Sequence, residues 1–336
     1  MRAGIYLGKE NVEVREEAIP EVGDNDVLIQ NIYSSICGTD VAVFKHGPGT
    51  GHKIGVGKEF GHETISRVVA VGKNVTEFQV GDRVYPYPLL VTGDVSRAGT
   101  IGGFSEYILA KNAKLNQTLY AVPENISDKV ACLIEPFTVG GRAARRSQPQ
   151  VGEKAIVFGC GTIGLAAAIT LKYFGLEKVM ISDISDFRLD IAKKLGFQTC
   201  NSAKENLSEV AKGYFGSARA LDKETYDVDI FIDAAGVTSI LDDFMSDGKI
   251  CSRFVSVAVN NEKRELDLLH MTYAQKSIIG SGGYFPEDVE DVMKIMASEK
   301  WDIESMITDI YPLEQLSDAI EKASHTDEAL NVVIKF

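Results

Sequence analysis

The sequence predicts an α/β protein, in which a β-rich domain is followed by a doubly wound parallel sheet. The chain has 336 residues, more than one hydrophobic core usually serves, so two domains are expected. Up to about residue 142, short β-rich runs alternate with turns that contain Gly and Pro. From about residue 151, short apolar strands alternate with helical patterns, which is typical of a parallel sheet covered by helices.

The first part of the chain is predicted to form a compact, barrel-like β domain, because its strands are short and joined by tight turns. The predicted strands are residues 1–6, 27–33, 64–71, 81–84 and 104–110. The first of them leads directly into the fold and lacks the apolar core of a signal peptide.

The second part contains a nucleotide-binding pattern between two predicted strands, residues 154–158 and 178–182. A Gly-x-Gly-x-x-Gly sequence alone is weak evidence. Here it joins a strand to a helix, and an acidic residue follows at roughly the 20-residue distance typical of dinucleotide-binding folds. The glycines permit close backbone approach, and the helix N-terminus favours a pyrophosphate. The candidate cofactor-binding residues are Gly159, Gly161, Thr162, Ile163, Gly164, Asp183 and Arg188.

Asp183 predicts NAD as the cofactor, because a carboxylate at the end of the second strand binds ribose hydroxyls and repels the 2′-phosphate of NADP. Arg188 follows nearby, and a basic side chain there would soften this preference. The alternative is that Arg188 is an exposed residue on an amphipathic helix.

The rest of the chain continues the alternation and then leaves the sheet. Later strands are predicted at residues 229–233, 253–257 and 277–280. Two helices, 286–300 and 313–324, and a closing strand at 330–336 follow them.

Composition limits the classes of partner. The net charge of −13 and a pI near 5.0 argue against nucleic acid and anionic membranes, because both require basic patches. No apolar run approaches the roughly 20 residues needed to span a bilayer. Five scattered cysteines suggest no disulfide framework. We therefore expect a cytoplasmic protein whose partner is a small molecule.

Three separated segments carry potential zinc ligands: Cys37, the pair His62 and Glu63, and Glu135. A catalytic zinc needs three protein ligands and one open position. Cys37 and His62 are the first two ligands, and the sequence does not separate Glu63 from Glu135 as the third. Thr39 is close enough to Cys37 to exchange a proton with a bound substrate, and it could also cap a helix that starts near residue 38.

The segments Cys37-Gly38-Thr39-Asp40, Gly61-His62-Glu63 and Ile134-Glu135-Pro136 resemble, in order and spacing, the catalytic zinc motifs of the medium-chain dehydrogenase/reductase family. The resemblance spans nearly the whole chain and is nearest to sorbitol, polyol and threonine dehydrogenases. It implies a GroES-like catalytic domain, 1–142 completed by 284–336, and a Rossmann domain, 143–283. It also implies hydride transfer between NAD and a secondary alcohol or polyol, in a homodimer or homotetramer.

The chain departs from that family in three places. Residues 87–102 contain no Cys or His, so we expect one catalytic zinc and no structural zinc. Ala42 stands where related enzymes carry a proton-relaying His, and His46 could serve instead. Gly283 stands before Tyr284, where sorbitol dehydrogenases place an Arg, so the substrate pocket is expected to differ.

A basic group near His62 suggests a phosphorylated or carboxylated polyol, although charged loops are more often only solvated. Its members are Lys45, His46, His52, Lys53 and Lys58. Two other functions stay open at this point. One is a zinc-independent quinone or enone reductase on the same scaffold, and the other is a catalytically idle NAD-binding protein.

Overall fold

The computed structural model describes residues 1–50 and 53–336, so His52 of the basic group lies outside the described residues. The chain divides into two compact units, one formed by residues 1–135 and 296–336 and the other by residues 136–295. The domain limits at 142 and 284 stay predictions, because the compact units change over at other positions along the chain.

The helices and strands have the following bounds. The strands are β1 (Arg2–Gly8), β2 (Asn11–Glu16), β3 (Val27–Ser35), β4 (Lys58–Glu59), β5 (Glu63–Val71), β6 (Arg83–Pro86), β7 (Tyr107–Ala110), β8 (Leu119–Ala121), β9 (Lys154–Phe158), β10 (Lys178–Asp183), β11 (Gln198–Asn201), β12 (Ser217–Arg219), β13 (Glu224–Tyr226), β14 (Ile230–Asp233), β15 (Arg253–Ser256), β16 (Ser277–Gly280), β17 (Ile307–Pro312) and β18 (Asn331–Lys335). The helices are α1 (Gly38–His46), α2 (Asp128–Ala131), α3 (Ile134–Arg146), α4 (Thr162–Tyr173), α5 (Asp186–Lys194), α6 (Leu207–Phe215), α7 (Thr238–Asp247), α8 (Leu268–Tyr273), α9 (Pro286–Ala297) and α10 (Leu316–Ala323). Three 3₁₀ turns are Val95–Arg97, Ile303–Met306 and Leu313–Gln315.

The first unit is built on a seven-stranded sheet in the order β17-β18-β3-β5-β6-β8, with β7 also paired to β3. Strands β3 and β5 are antiparallel, and Ser35 at the end of β3 lies opposite Glu63 at the start of β5. This register brings the segment after β3 next to the segment before β5. A smaller sheet, β2-β1-β4, lies in the same unit.

Two hydrophobic cores stabilise the first unit. One lies against the large sheet and includes Val27, Ile29, Val68, Val84 and Leu119. The other joins α1 and α10 to the small sheet. Its buried residues include Tyr6, Phe44, Phe60, Phe104, Leu316 and Ile320.

The second unit is a six-stranded parallel sheet in the order β11-β10-β9-β14-β15-β16, which confirms the predicted doubly wound fold. Strands β9, β10 and β14 are buried apolar runs, as expected where helices cover both faces. The strand order reverses on either side of β9. Ligands of such sheets bind beyond the carboxyl ends of the strands at that reversal.

Some predicted bounds were wrong. The predicted strand 104–110 is shortened to Tyr107–Ala110, because the chain turns at Gly102–Ser105 to pair with residues 60 and 61. The predicted helix 313–324 is a 3₁₀ turn followed by α10. None of the helices in residues 1–50 and 53–336 is long and apolar enough to cross a bilayer.

Candidate metal and cofactor sites

The β3–β5 pairing brings Cys37, His62 and Glu63 into one cluster. One ligand atom from each of these three side chains lies within 4.8 Å of the other two. His62 is 5% exposed and Glu63 is 3% exposed, and Cys37 is partly buried. A thiol, an imidazole and a carboxylate at this separation are the donor types of a catalytic zinc site.

The backbone at His62 is set by a glycine. Gly61 has φ +83°, a left-handed conformation that L side chains rarely adopt. A Cβ on Gly61 would also lie 2.7 Å from the Phe104 ring. The preceding Phe60 packs its ring on Phe104 with centroids 4.8 Å apart. Glycine is therefore required at position 61, and the backbone conformation immediately before His62 is fixed.

Helix α1 begins beside the cluster. Its N-cap is Cys37, and the Cys37 N–H donates to Asp40 Oδ2 at 3.1 Å. Thr39 therefore does not cap this helix, because the cap lies two residues earlier in the chain. The Thr39 hydroxyl instead donates to Cys37 Sγ at 3.1 Å. The hydroxyl thus lies directly at the cluster.

The electrostatics of the cluster favour a bound cation. Burial raises the pKa of the Cys37 thiol well above its usual range, and the charges of Glu63 and Asp40 raise it further. Burial also raises the pKa of Glu63 to about 6, against hydrogen bonds from Ser35 and Cys37 that lower it. Several acidic groups share one buried volume, so a divalent cation would relieve their desolvation and mutual repulsion.

Glu135 acts electrostatically on this cluster but is not one of the three residues grouped within 4.8 Å. It sits in the first turn of α3 and is 8% exposed. Its charge contributes to the raised pKa of Cys37, so the carboxylate is within electrostatic reach of the sulfur. Among the described residues, Glu63 is the carboxylate that joins Cys37 and His62 within 4.8 Å.

The residues present fit zinc. Thiolate sulfur, imidazole nitrogen and carboxylate oxygen are all zinc ligands, and three of them leave a fourth position for substrate. The same set is too rich in sulfur and nitrogen for magnesium or calcium, which prefer oxygen.

In the second unit, the turn between β9 and α4 has the geometry of a phosphate cradle. Gly159 has φ +96°, and a Cβ on Gly164 would lie 1.8 Å from the Gly159 carbonyl oxygen. Gly161 is the N-cap of α4, so Thr162 and Ile163 form its first turn. Amide groups and the helix dipole at this end favour a bound anion.

The Asp183 carboxylate accepts three hydrogen bonds from backbone N–H groups. Its Oδ2 accepts the Cys160 N–H at 2.6 Å, and its Oδ1 accepts the N–H groups of Ile184 and Ser185 at 2.7 and 2.8 Å. The carboxylate therefore ties the end of β10 to the glycine turn. A carboxylate has about four acceptor positions, and three are taken by these N–H groups, so about one remains for a ribose hydroxyl.

A pocket of about 500 Å³ opens beside Asp183. Its lining includes three carboxylates, Asp183, Glu205 and Asp243, and contains neither lysine nor arginine among the described residues. Arg188 is not the exposed helical residue of the alternative interpretation. Burial lowers its pKa, whereas the charge of Asp183 raises it, so the guanidinium lies near that carboxylate.

The remaining predicted residues have clear positions. His46 is the last residue of α1 and is exposed, whereas Lys45 is engaged in an ion pair with Glu321. Lys45 therefore does not stand as an unpaired charge near His62. Tyr284, in the second unit, is 7% exposed, and Gly283 before it has φ +64°.

Two polar side chains next to the proposed ligands, Ser35 and Asp40, were not predicted from the sequence. The Ser35 hydroxyl donates to Asn331 Oδ1 at 2.7 Å, and the Ser35 side chain lowers the pKa of the Glu63 carboxyl group. Asp40 is 1% exposed and braces the Cys37 backbone. An acidic residue three positions after a helix N-cap is a readable pattern. The contact between Ser35 and Asn331 joins distant parts of the chain and leaves no local pattern.

Known proteins resemble this chain in both units. Residues 23–123 match the family "Alcohol dehydrogenase GroES-like domain", and residues 162–298 match the family "Zinc-binding dehydrogenase". Sorbitol dehydrogenase of Bacillus subtilis is 28% identical over 99% of this chain and 97% of its own. L-threonine 3-dehydrogenase of Proteus mirabilis is 37% identical over 58% of this chain, and the match spans 60% of that relative. The crystal structure of 2R,3R-butanediol dehydrogenase from Bacillus subtilis superposes with a TM-score of 0.85 at 22% identity, covering 100% of this chain and 99% of the other.

Proposed function

Because the chain belongs to the zinc-dependent medium-chain dehydrogenase/reductase family, we propose that it oxidises a secondary alcohol or polyol with NAD, or reduces the corresponding ketone. The observation that carries this proposal is the cluster of Cys37, His62 and Glu63 in a chain that also holds a dinucleotide cradle. Sorbitol dehydrogenase is similar over almost the full length, which supports a polyol substrate.

Zinc, when bound, supplies a Lewis acid that makes the substrate hydroxyl more acidic, and NAD supplies the hydride acceptor. Cys37, His62 and Glu63 would hold the metal, and the glycine turn would hold the pyrophosphate. The Thr39 hydroxyl lies at the cluster, where it can accept the hydroxyl proton of the substrate and pass on its own. Ala42 cannot continue this path. His46 stands one helical turn further along α1 and is exposed, so the outer path reaches it through water.

The third ligand is proposed to be Glu63, with Glu135 as the carboxylate that approaches when the coordination changes. The proximity of Glu63 to Cys37 and His62 supports this assignment, and the charge of Glu135 acts on the same sulfur. Paired carboxylates at one metal allow ligand exchange without a large change of local charge.

One zinc per chain is proposed, without a structural zinc. Residues 87–102 contain no Cys or His, and the Asp94 side chain caps the 3₁₀ turn Val95–Arg97 within them by accepting the Ser96 N–H. Within residues 1–50 and 53–336, the cluster at Cys37 is the group found with metal-ligand spacing.

NAD is proposed over NADP because the pocket beside Asp183 is acidic. A 2′-phosphate would enter a site lined by three carboxylates, and repulsion between like charges disfavours it. Arg188 would then act near Asp183 and the glycine turn rather than as a receptor for a 2′-phosphate.

A homo-oligomer in the cytoplasm is proposed, at least a dimer. Strand β16 is the edge of the parallel sheet, and unpaired edges favour association with a second chain. Helix α8 exposes Leu268, Leu269 and Tyr273 at 66%, 69% and 66%. Such a group of large exposed side chains in the same unit supports burial against a second copy.

The function is tested by assaying the purified enzyme with NAD against polyols, sugar phosphates, 2,3-butanediol, threonine and primary alcohols. We expect a secondary alcohol with a neighbouring hydroxyl to have the highest kcat/KM, because buried carboxylates reject analogues that leave them unpaired. Zinc-independent reduction of a quinone or enone would contradict the proposal. Tight NAD binding without activity on any of these alcohols would favour the idle NAD-binding protein.

A further inference from the structure

Asn31 contacts a turn of the chain that lies against the backbone at His62. It stands in β3, is 2% exposed, and is held in place by the Asn31 N–H, which donates to Glu106 O at 2.9 Å. Its Oδ1 accepts the Ser66 hydroxyl at 2.7 Å. A buried side-chain amide whose oxygen and nitrogen are both hydrogen-bonded is held rigidly.

The side-chain amide nitrogen of Asn31 donates hydrogen bonds to one turn of the chain. Nδ2 donates to the carbonyl oxygens of Gly102, Gly103 and Ser105 at 3.1, 3.3 and 2.7 Å. Three buried carbonyls converge on one NH₂ group, and without it they would be desolvated and unpaired. The turn Gly102–Ser105 therefore depends on Asn31 for its shape.

The same turn holds the backbone that enters His62. The Gly103 N–H donates to Gly61 O at 2.9 Å, and the Phe104 N–H donates to Phe60 O at 3.1 Å. A Cβ on Gly103 would lie 2.6 Å from Gly61 C and 2.7 Å from His62 N. The turn and the His62 backbone are thus in direct contact, with no space to adjust.

We propose that Asn31 is a positioning residue for the metal site, which sets the orientation of His62 through the turn Gly102–Ser105. This inference rests on the proposed zinc-dependent function. Shifting the turn removes two hydrogen bonds next to His62, so the imidazole should leave its place beside Cys37 and Glu63. Groups that orient a metal ligand typically change metal affinity by about 10–100-fold when they are removed.

Two variants test the connection from Asn31 through the turn to His62, one at Asn31 and one at the contact between the turn and His62. Asn31→Leu keeps a similar volume but removes the donor to the three carbonyls. Gly103→Ala leaves Asn31 intact and forces the turn away from Gly61 and His62. Ser66→Ala removes only the contact to Oδ1. Thr118→Val is the matched control, because Thr118 is also buried in the same unit, and its hydroxyl accepts the Lys114 N–H and donates to the Lys114 carbonyl.

The zinc dissociation constant of each variant is measured by competition with a chromophoric chelator, at a temperature where circular dichroism reports the folded state. We expect about a tenfold or greater rise in the dissociation constant for Asn31→Leu and Gly103→Ala. Ser66→Ala should change it by about threefold at most, because the Nδ2 donors remain. Thr118→Val should leave it unchanged while lowering the melting temperature. The visible spectrum of the cobalt(II)-substituted protein should shift in the first two variants only.

Unchanged zinc affinity and an unchanged cobalt spectrum in folded Gly103→Ala would overturn the inference, whether or not Asn31→Leu folds. A rise as large in Thr118→Val would also overturn it, because the effect would then reflect general destabilisation. A wild-type protein that takes up no zinc would instead overturn the proposed function, and the inference with it.

Discussion

Ser35 pairs with Glu63 across the antiparallel strands β3 and β5, and the Ser35 side chain lowers the pKa of the Glu63 carboxyl group. Ser35 Oγ also lies 2.7 Å from Asn331 Oδ1 in β18. A ligand of the proposed metal is therefore held by two neighbouring strands of the sheet. The Ser35 side chain opposes the effect of burial, which raises the pKa of Glu63 to about 6.

Ser35→Ala should weaken zinc binding by about threefold at pH 6.5, because the pKa of Glu63 rises further when the Ser35 hydroxyl is removed. The loss should shrink toward pH 8, where Glu63 is ionised in both proteins. Zinc affinity measured across this pH range checks the prediction. Ser34→Ala is the control, since the Ser34 hydroxyl donates to the Glu63 backbone carbonyl and not to its carboxylate. Equal losses at pH 6.5 and pH 8 would contradict the explanation.

Zinc binding to the metal-free protein should release protons. The pKa of Cys37 is raised well above its usual range, so the thiol is protonated at pH 7 and must lose about one proton to bind the metal. At pH 5, Glu63 with its pKa of about 6 is also protonated, and the release should approach about two protons. Calorimetry in buffers of different ionisation enthalpy measures this number. Cys37→Ser should lose most of the release at pH 7, and an unchanged value in that variant would exclude Cys37 as a ligand.

Asp183→Ser should raise the KM for NAD by about tenfold, because it removes acceptors for the ribose and for the Cys160, Ile184 and Ser185 N–H groups. The preference for NAD over NADP should narrow without reversing, because Glu205 and Asp243 still line the pocket. The ratio of kcat/KM for the two cofactors measures this. Asp190→Asn, an exposed change on α5, serves as control. A wild-type enzyme that prefers NADP would refute the cofactor assignment.

We expect the free energy of unfolding of the second unit to depend on pH because of Lys276. The side chain is 4% exposed, donates to the carbonyls of Phe244 and Met245 at the end of α7, and has its pKa lowered by burial to about 8. Between pH 8 and about 10.4 the unfolded chain binds more protons at this residue than the folded chain, so stability rises with pH in that window. The rise should reach at most about 3 kcal/mol in chemical denaturation. It should be absent in Lys276→Met, and equal pH profiles for the two proteins would contradict the assignment.

Leu269→Asp should shift the proposed oligomer toward monomer, because a carboxylate would be buried in the apolar contact of a second copy. Light scattering at micromolar concentration gives the mass. Leu221→Asp, at another exposed leucine on the same unit, is the matched control. A wild-type mass equal to that of one chain would disprove association through this surface.

Much of the fold could be predicted from local patterns. The glycine turn, Asp183 and the alternation of strands with helices predicted the parallel sheet, because each part has its own periodicity or turn chemistry. The shortened β7 was not predictable. Residues 104–106 favour a strand by composition. The turn Gly102–Ser105 interrupts it, and this turn is held by Asn31, which is distant in sequence.

The residues of the proposed metal site could be chosen from the sequence, but their spatial arrangement could not. Residue type and order pointed to Cys37, His62, Glu63 and Glu135. The proposal of Glu63 over Glu135 uses the register of β3 on β5, which fixes Glu63 opposite Ser35 and close to Cys37 and His62. Thr39 at Cys37 Sγ, rather than at the helix cap, likewise depends on where α1 begins.

A metal titration of the chelator-treated enzyme tests most directly whether one zinc per chain is catalytic. NADH formation from the best alcohol substrate is followed as zinc is added back in small steps. Activity should be near zero without metal and should rise linearly to a plateau at one zinc per chain. Full activity in the metal-free protein, or a plateau reached only at two zincs per chain, would contradict the account.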